Sequence, residues 1–254
     1  MKKIKDTIKR FLYQFKIAKL VFRNRLFYEV YKRSKIESKR KPSRTKIINH
    51  LLSIVKANNY LEIGVRNPEE NFNKIFCSNK YSVDPGDEFI ENPVDFKLTS
   101  DDFFTKLGRN QLGLLPSLKF DVIFIDGLHL ADQVERDILN SLNYITDIGF
   151  IVLHDCNPPT EFHQRENYKF KASPAKGFWN GTGWKTFYKF RHRKDLYSLC
   201  FDSDWGVGVI SKKKYPEFSN LIDKLENPYF EYNILNLERE KHLNLQSFDE
   251  WIKK

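Results

Sequence analysis

Apolar and polar positions follow two rhythms along the chain. Ile4, Ile8, Phe11, Phe15, Ala18, Phe22 and Leu26 recur at spacings of three and four, with Lys and Arg on the remaining faces. That pattern predicts one long amphipathic helix, which Pro42 and Ser43 punctuate at its far end. From Thr45 onward helical segments alternate with short apolar runs. A helix over 45–57 leads into a strand at Tyr60-Leu61-Glu62-Ile63-Gly64. Tyr81-Ser82-Val83-Asp84 is a second strand, stopped by Pro85-Gly86, and residues 94–98 make a weaker third. Phe120–Gly127 is a fourth, continuously apolar, as a strand covered on both faces should be. A helix through Ala131–Tyr144 separates it from a fifth at Gly149–Asp155.

Strands and helices in this alternation imply right-handed crossovers and a parallel sheet. Leu196–Phe201 and Gly206–Ser211 flank Asp202-Ser203-Asp204-Trp205 and predict a hairpin. The expected fold is therefore α/β: a doubly wound, mostly parallel seven-stranded sheet with a terminal antiparallel hairpin. Residues 1–42 are expected as a basic helical extension and 43–254 as one domain, with a lid over about 157–190. There is no internal repeat.

Charge changes this picture at one end only. The net charge of +10 belongs to the extension: residues 1–41 hold fifteen Lys and Arg against three acids, and the remainder is slightly acidic. Three roles suit such a helix: packing on the domain with a solvated basic face, lying on an anionic membrane surface, or touching nucleic acid. Cys77, Cys156 and Cys200 are odd in number and widely spaced. They argue against a disulfide framework and for a reducing, cytoplasmic setting, peripheral at the inner membrane surface if the helix binds lipid. No apolar run approaches the ~18 residues of a span, and no apolar stretch of a secretory signal is evident.

In open α/β sheets ligands bind beyond the carboxyl ends of the strands, so the polar residues there carry the chemistry. Glu62, Gly64 and Asn67 close the first strand, where Gly permits close backbone approach and the turn offers unpaired N–H groups. Asp84 follows Gly64 by twenty residues, a separation at which a carboxylate accepts hydrogen bonds from a nucleoside ribose. Thr99-Ser100-Asp101-Asp102 opens a helix, and its residues either cap it or present Ser100 and Asp101 to an adenine edge. Asp126-Gly127-Leu128-His129 and His154-Asp155-Cys156-Asn157 end neighbouring strands. Two imidazoles, two carboxylates and an amide in one cleft suit either a general base near neutral pH or an oxygen/nitrogen divalent-metal site.

On these residues the chain resembles class I S-adenosylmethionine-dependent methyltransferases, with a Rossmann-like fold. The likeness spans about residues 45–212 and is strongest in DVIFIDGLHLADQVERDILNSL and GFIVLHDCNPP, supported by WNGTGWKTFYKFR and DSDWGVGVI. It looks most like a bacterial subgroup with Asp-Gly-x-His after the fourth strand and His-Asp after the fifth. The resemblance implies cofactor contacts from Glu62, Gly64, Asn67, Asp84, Ser100, Asp101 and Asp126. It also implies catalysis by Asp126 with His129 or His154 as the base taking a hydroxyl proton during in-line methyl transfer. In metal-dependent relatives the acid at Asp126 also binds magnesium, which would place Asp126, Asp155 and Asn157 around Mg2+. The chain departs from the pattern in its glycine-poor first loop and in Leu128, where many related sequences have a second acid.

The segment 157–190 holds Tyr168, Phe178, Trp179 and Trp184 among Lys and Arg. Aromatic faces beside polar groups suit a sugar, so O-methylation of a glycan or similar small polar acceptor is the leading expectation. A nucleic-acid methyltransferase is the alternative, prompted by Asn157-Pro158-Pro159, although Thr160 stands where a base-stacking aromatic belongs. A non-catalytic binding protein on a decayed fold is a third. The oligomeric state is not legible.

Overall fold

The computed structural model describes residues 2–88, 93–222 and 225–254, without the side chains of 2, 3 and 20–22. Seven strands form one sheet: β1 (Asn59–Ile63), β2 (Asn79–Val83), β3 (Phe120–Ile125), β4 (Ile145–Leu153), β5 (Tyr197–Phe201), β6 (Val207–Ser211) and β7 (Leu245–Gln246). Their spatial order is β2-β1-β3-β4-β6-β5-β7. β1 pairs parallel with β2 and β3, and β3 with β4, whereas β6 runs antiparallel to β4 and β5. The order reverses between β1 and β3, so the crevice beyond their carboxyl ends is the expected ligand position.

Strand periodicity divides the core into two layers. Leu61, Ile63, Ile123, Ile125, Ile151 and Leu153 face α4 (Ser100–Gly108), α5 (Ala131–Tyr144) and α6 (Gly183–Arg191), meeting Phe103, Ile138, Trp184 and Phe187. Their alternates Tyr60, Val122, Phe124, Phe150 and Val152 face α3 (Arg44–Val55), whose Ile47, Ile48, Leu51 and Leu52 recur at helical spacing. Burying such a side chain contributes roughly 1.5–3 kcal/mol, which is why the uninterrupted apolar run at β3 occupies the sheet centre. α7 (Tyr232–Leu237), α8 (Arg239–Leu243) and α9 (Phe248–Trp251) close the distal edge around β7.

Several expectations change. The third strand is reduced to a single parallel bridge, Val83 to Phe96. Asp95 is the cause: its carboxylate takes the Ser82 N–H at 2.9 Å and the Ser82 hydroxyl at 2.7 Å, so a side chain satisfies what a longer ladder would have bonded. Seven strands are reached through β7 at the opposite edge. The basic stripe is not one helix either. α1 (Lys2–Arg23) stops at Asn24, whose side chain caps α2 (Arg25–Glu37) by accepting from Leu26 N at 2.9 Å. The Phe22 side chain, named in the stripe, lies outside the described residues. The expected lid also divides: 183–191 is α6, with Trp184 and Phe187 fully buried in the core. Among the described residues no helix is long and apolar enough to cross a membrane.

Candidate active site

The carboxyl ends of β1, β2, β3 and β4 converge on one cavity of about 1100 Å3. Glu62, Gly64, Asn67, Asp84, Ser100, Asp126, His129 and His154 all line it, as does Arg44 from the first turn of α3. Asp84 and Asp126 therefore share one hollow. Gly64 adopts φ 91°, and a Cβ there would collide with the Asp126 carbonyl and the Gly127 backbone. Only glycine lets the β1 and β3 loops touch. Asp84 turns the chain at Pro85 by accepting from Gly86 N at 2.6 Å.

One of the cofactor contacts expected in the cavity is elsewhere. Asp101 points out of it and is committed to Arg136 Nε at 3.1 Å and Gln133. Thr99 is the true cap of α4, accepting from Asp102 N. In its place Asp137 lines the wall, where Ser100 Oγ donates to it at 2.6 Å and burial raises its carboxyl to about 6. An acid on the apolar face of α5, beside Val134, Ile138 and Ser141, is the sequence signal that could have revealed it.

At the other end lies the polar cluster. Asp126 and the pair His154-Asp155 directly follow the last residues of β3 and β4, which puts them side by side. His129 Nδ1 is 2.6 Å from Asp155 Oδ2, and its Nε2 is 3.4 Å from Asp126 Oδ1. His154 Nδ1 lies 3.1 Å from Asp126 Oδ1, and its Nε2 is 3.5 Å from Asp204 Oδ1. Burial disfavours the charged form of both imidazoles, but the carboxylates outweigh it: Asp155 and Asp126 raise His129, and Asp126 and Asp155 hold His154 well above its ordinary value. Burial likewise opposes ionisation of Asp126 and Asp155, and the imidazoles overcome it, with Arg44 assisting at Asp126. Glu62, buried between Tyr60 Oη at 2.6 Å and Asn71 Nδ2 at 2.9 Å, is raised by desolvation to about 7.

Three members of this network were not foreseen. Arg44 Nε is 3.5 Å from Asp126, and its Nη1 is 3.6 Å from Asp204. A cation in the first turn of a helix opposes the macrodipole; that misfit was the available signal. Asp204, read only as a turn residue, accepts from Arg44 N at 2.6 Å and so caps α3, which Ser43 does not. Fully buried Asn180 donates to Asp155 Oδ1 at 2.8 Å, and Thr182 N donates to the His129 carbonyl at 2.7 Å. The expected lid thus fixes both members of the His129–Asp155 pair. Its Trp179 ring lies 5.2 Å from the His129 ring and 5.5 Å from Tyr168, and Lys169 and Lys171 line the same wall.

The metal expectation fares differently. Ligand atoms of Asp126, His154 and Asp155 do lie within 4.8 Å of one another. Asn157, however, faces away: its amide donates to Asp202 Oδ1 at 3.0 Å and its carbonyl accepts from Arg239. Magnesium wants a near-octahedral oxygen shell. Here two carboxylates are already balanced by two imidazoles and Arg44, so this donor set does not fit Mg2+. The same geometry removes the support for the Asn157-Pro158-Pro159 motif, since none of the three lines the cavity and Thr160 is bound to His163 at 2.8 Å.

Residues 50–156 match the family model described as a methyltransferase domain. Solved structures similar to this chain include the O-methyltransferase from Bacillus cereus in complex with SAH. It is 16% identical, with 74% of this chain and 90% of that one covered at a TM-score of 0.44. The O-methyltransferase TomG from Streptomyces achromogenes, involved in tomaymycin synthesis and solved with SAM, is 13% identical over 74% and 89% of the two chains, TM-score 0.43. The SAH-bound methyltransferase PaMTH1 from Podospora anserina is 14% identical over 75% and 89%, TM-score 0.44. Curated protein sequences give no match.

Proposed function

We propose that this chain, whose residues 50–156 match a family model described as a methyltransferase domain, is a class I S-adenosylmethionine-dependent enzyme that methylates a hydroxyl oxygen of a sugar or similar small polar acceptor, with His129 as the general base. The observation that carries the reading is the arrangement of one cavity. A carboxylate suited to a ribose, Asp84, lines it together with an imidazole held by Asp155 under the Trp179 ring.

The residues fit S-adenosylmethionine. The cavity is roomy enough, Asp84 offers acceptors for ribose hydroxyls, and Ser100 with Asp137 supplies polar groups on the wall assigned to the adenine. Gly64 brings backbone close, and Asp126, with Glu62 on the same wall, provides negative charge for an amino group. When bound, the cofactor supplies an electrophilic methyl on a sulfonium.

The chain's own part is orientation and proton transfer. Asp155 accepts from His129 Nδ1–H and so holds the Nε2 edge towards the cavity, while Asn180 fixes Asp155 from behind. Nε2 then takes the acceptor hydroxyl proton. The base must be neutral first, and a cation in the cavity favours that by like-charge repulsion, against the pull of Asp155 and Asp126. Arg44 keeps Asp126 ionised. Trp179 and Tyr168 offer aromatic faces to a sugar ring, and Lys169 and Lys171 offer charge to an acidic substituent. Three unpaired cysteines suit a reducing, cytoplasmic setting.

The decisive experiment combines labelled S-adenosylmethionine with a panel of glycan acceptors, read by product mass spectrometry. Wild-type protein should transfer label to oxygen, and His129→Ala should bind the cofactor yet lose transfer. Wild-type rates in both His129→Ala and Asp126→Asn would overturn the assignment.

A further inference from the structure

α1 stands apart from that site and suggests a second activity. Every residue from Ile4 to Ile17 is exposed, including Ile4 at 66%, Phe11 at 65% and Phe15 at 64%. Ile4, Ile8, Phe11, Leu12 and Phe15 share one face, because residues three and four apart stack on a helix. Lys5, Lys9, Lys16, Lys19 and Arg23 form a basic arc along one flank of it, and the helix carries eight basic residues and one acid, Asp6. An apolar face this continuous does not stay in water without a purpose.

We infer that α1 is an in-plane anchor whose apolar face enters an anionic lipid surface while its basic face contacts the headgroups. The choice of occupant follows from charge and pattern. At 22 residues α1 is about 33 Å long, enough to cross a bilayer by length. Basic residues recur along its whole length, so it lies flat instead. A second copy of α1 would bring like charges together with one acid apiece to offset them. Nucleic acid would neutralise the lysines but leave Phe11 and Phe15 in water. An anionic bilayer satisfies both faces at once.

α2 transmits the placement to the catalytic unit. Ser34 Oγ lies 2.9 Å from His163 Nε2 in the expected lid, and Glu37 Oε1 accepts from Trp205 N at 3.2 Å. A lipid-bound α1 would thus be separated from the site by one capped break at Asn24.

The test is co-sedimentation of the full chain with vesicles of 70% phosphatidylcholine and 30% phosphatidylglycerol, against phosphatidylcholine alone, at 50 and 300 mM NaCl. Binding to the anionic vesicles should be at least tenfold tighter, and weaker at high salt. The double variant Phe11→Asp/Phe15→Asp should abolish it without moving the thermal midpoint, because neither side chain packs on the domain. A single Phe11→Trp should show blue-shifted emission with anionic vesicles only. The inference fails if wild type ignores anionic vesicles or if the double variant still binds. It fails equally if analytical ultracentrifugation shows a dimer that the double variant dissolves, or if duplex DNA shifts the Phe11→Trp emission as the vesicles do.

Discussion

At the scale of single residues, the pair His129–Asp155 governs the expected pH response. A base whose imidazolium is favoured by carboxylates must lose its proton before it can act, so the rise of kcat/KM with pH should have its midpoint above the ordinary His value of about 6.5. Removing the strongest favourable partner reverses this. Asp155→Asn leaves burial as the main influence on His129, which disfavours the cation, so the midpoint should move to lower pH while the rate falls. A pH–rate profile of both proteins checks the sign. His129→Ala should lower kcat by roughly 10²–10⁴-fold, the usual range for one general base, with cofactor affinity changed far less. The cation chemistry of the cluster leads to a further expectation. With Arg44 and two imidazoles balancing Asp126 and Asp155, turnover should survive exhaustive EDTA treatment and should not rise with added Mg2+. Loss of activity in EDTA, restored by magnesium, would show that the imidazoles yield to a metal.

At the scale of elements, the joint between α2 and the expected lid has its own titration. Ser34 Oγ donates to the Val30 carbonyl at 2.8 Å, which leaves its oxygen to accept from His163 Nε2–H at 2.9 Å, and Thr160 Oγ1 lies 2.8 Å from His163 Nδ1, an arrangement that neutral imidazole satisfies. Burial, with Arg165 nearby, pushes His163 down to about 4. Its unfolded form protonates near 6.5, so this contribution is complete above that pH and falls away as the pH drops towards 4, on the order of 3 kcal/mol in all. Urea unfolding between pH 7.5 and 4.5 should show that slope, and His163→Gln should flatten it. Legibility followed the same physics. β1, β3 and β4 were readable because strands buried on both faces must be continuously apolar, and the strand ends then placed Asp126, His129, His154 and Asp155 together. The third strand was misread because Asp95 replaces ladder bonds from a side chain. Asn157 was misplaced because nothing in a sequence says which way an amide turns after a strand, and here Arg239, eighty-two residues later, decides it. Asn180 reaches the site across a distance that no local pattern encodes, and Arg44 left only its misfit with the helix dipole as a signal.

At the scale of the whole molecule, the boundary expected at residue 42 divides what the contacts join. α1 is exposed from Ile4 to Ile17, whereas α2 buries Val30, Ser34 and Glu37. Ion pairs extend the joint: Arg40 meets Glu37 Oε2 at 3.2 Å and also pairs with Asp202, whose neighbours in the β5–β6 turn cap α3 through Asp204. Deleting 1–23 removes basic charge and an apolar face but, among the described residues, no buried side chain, so the thermal midpoint should hold within a degree or two. Deleting 1–41 uncovers His163 and Trp205 N and forfeits the burial of Val30. Two lost buried hydrogen bonds at about 1 kcal/mol each and one aliphatic side chain at about 2 kcal/mol amount to roughly 4 kcal/mol. For a chain of this size that corresponds to a fall of about 10 °C. Scanning calorimetry of the two truncations decides the matter: equal midpoints would mean that α2 is as dispensable as α1, and the catalytic unit would then begin at α3 rather than at Arg25.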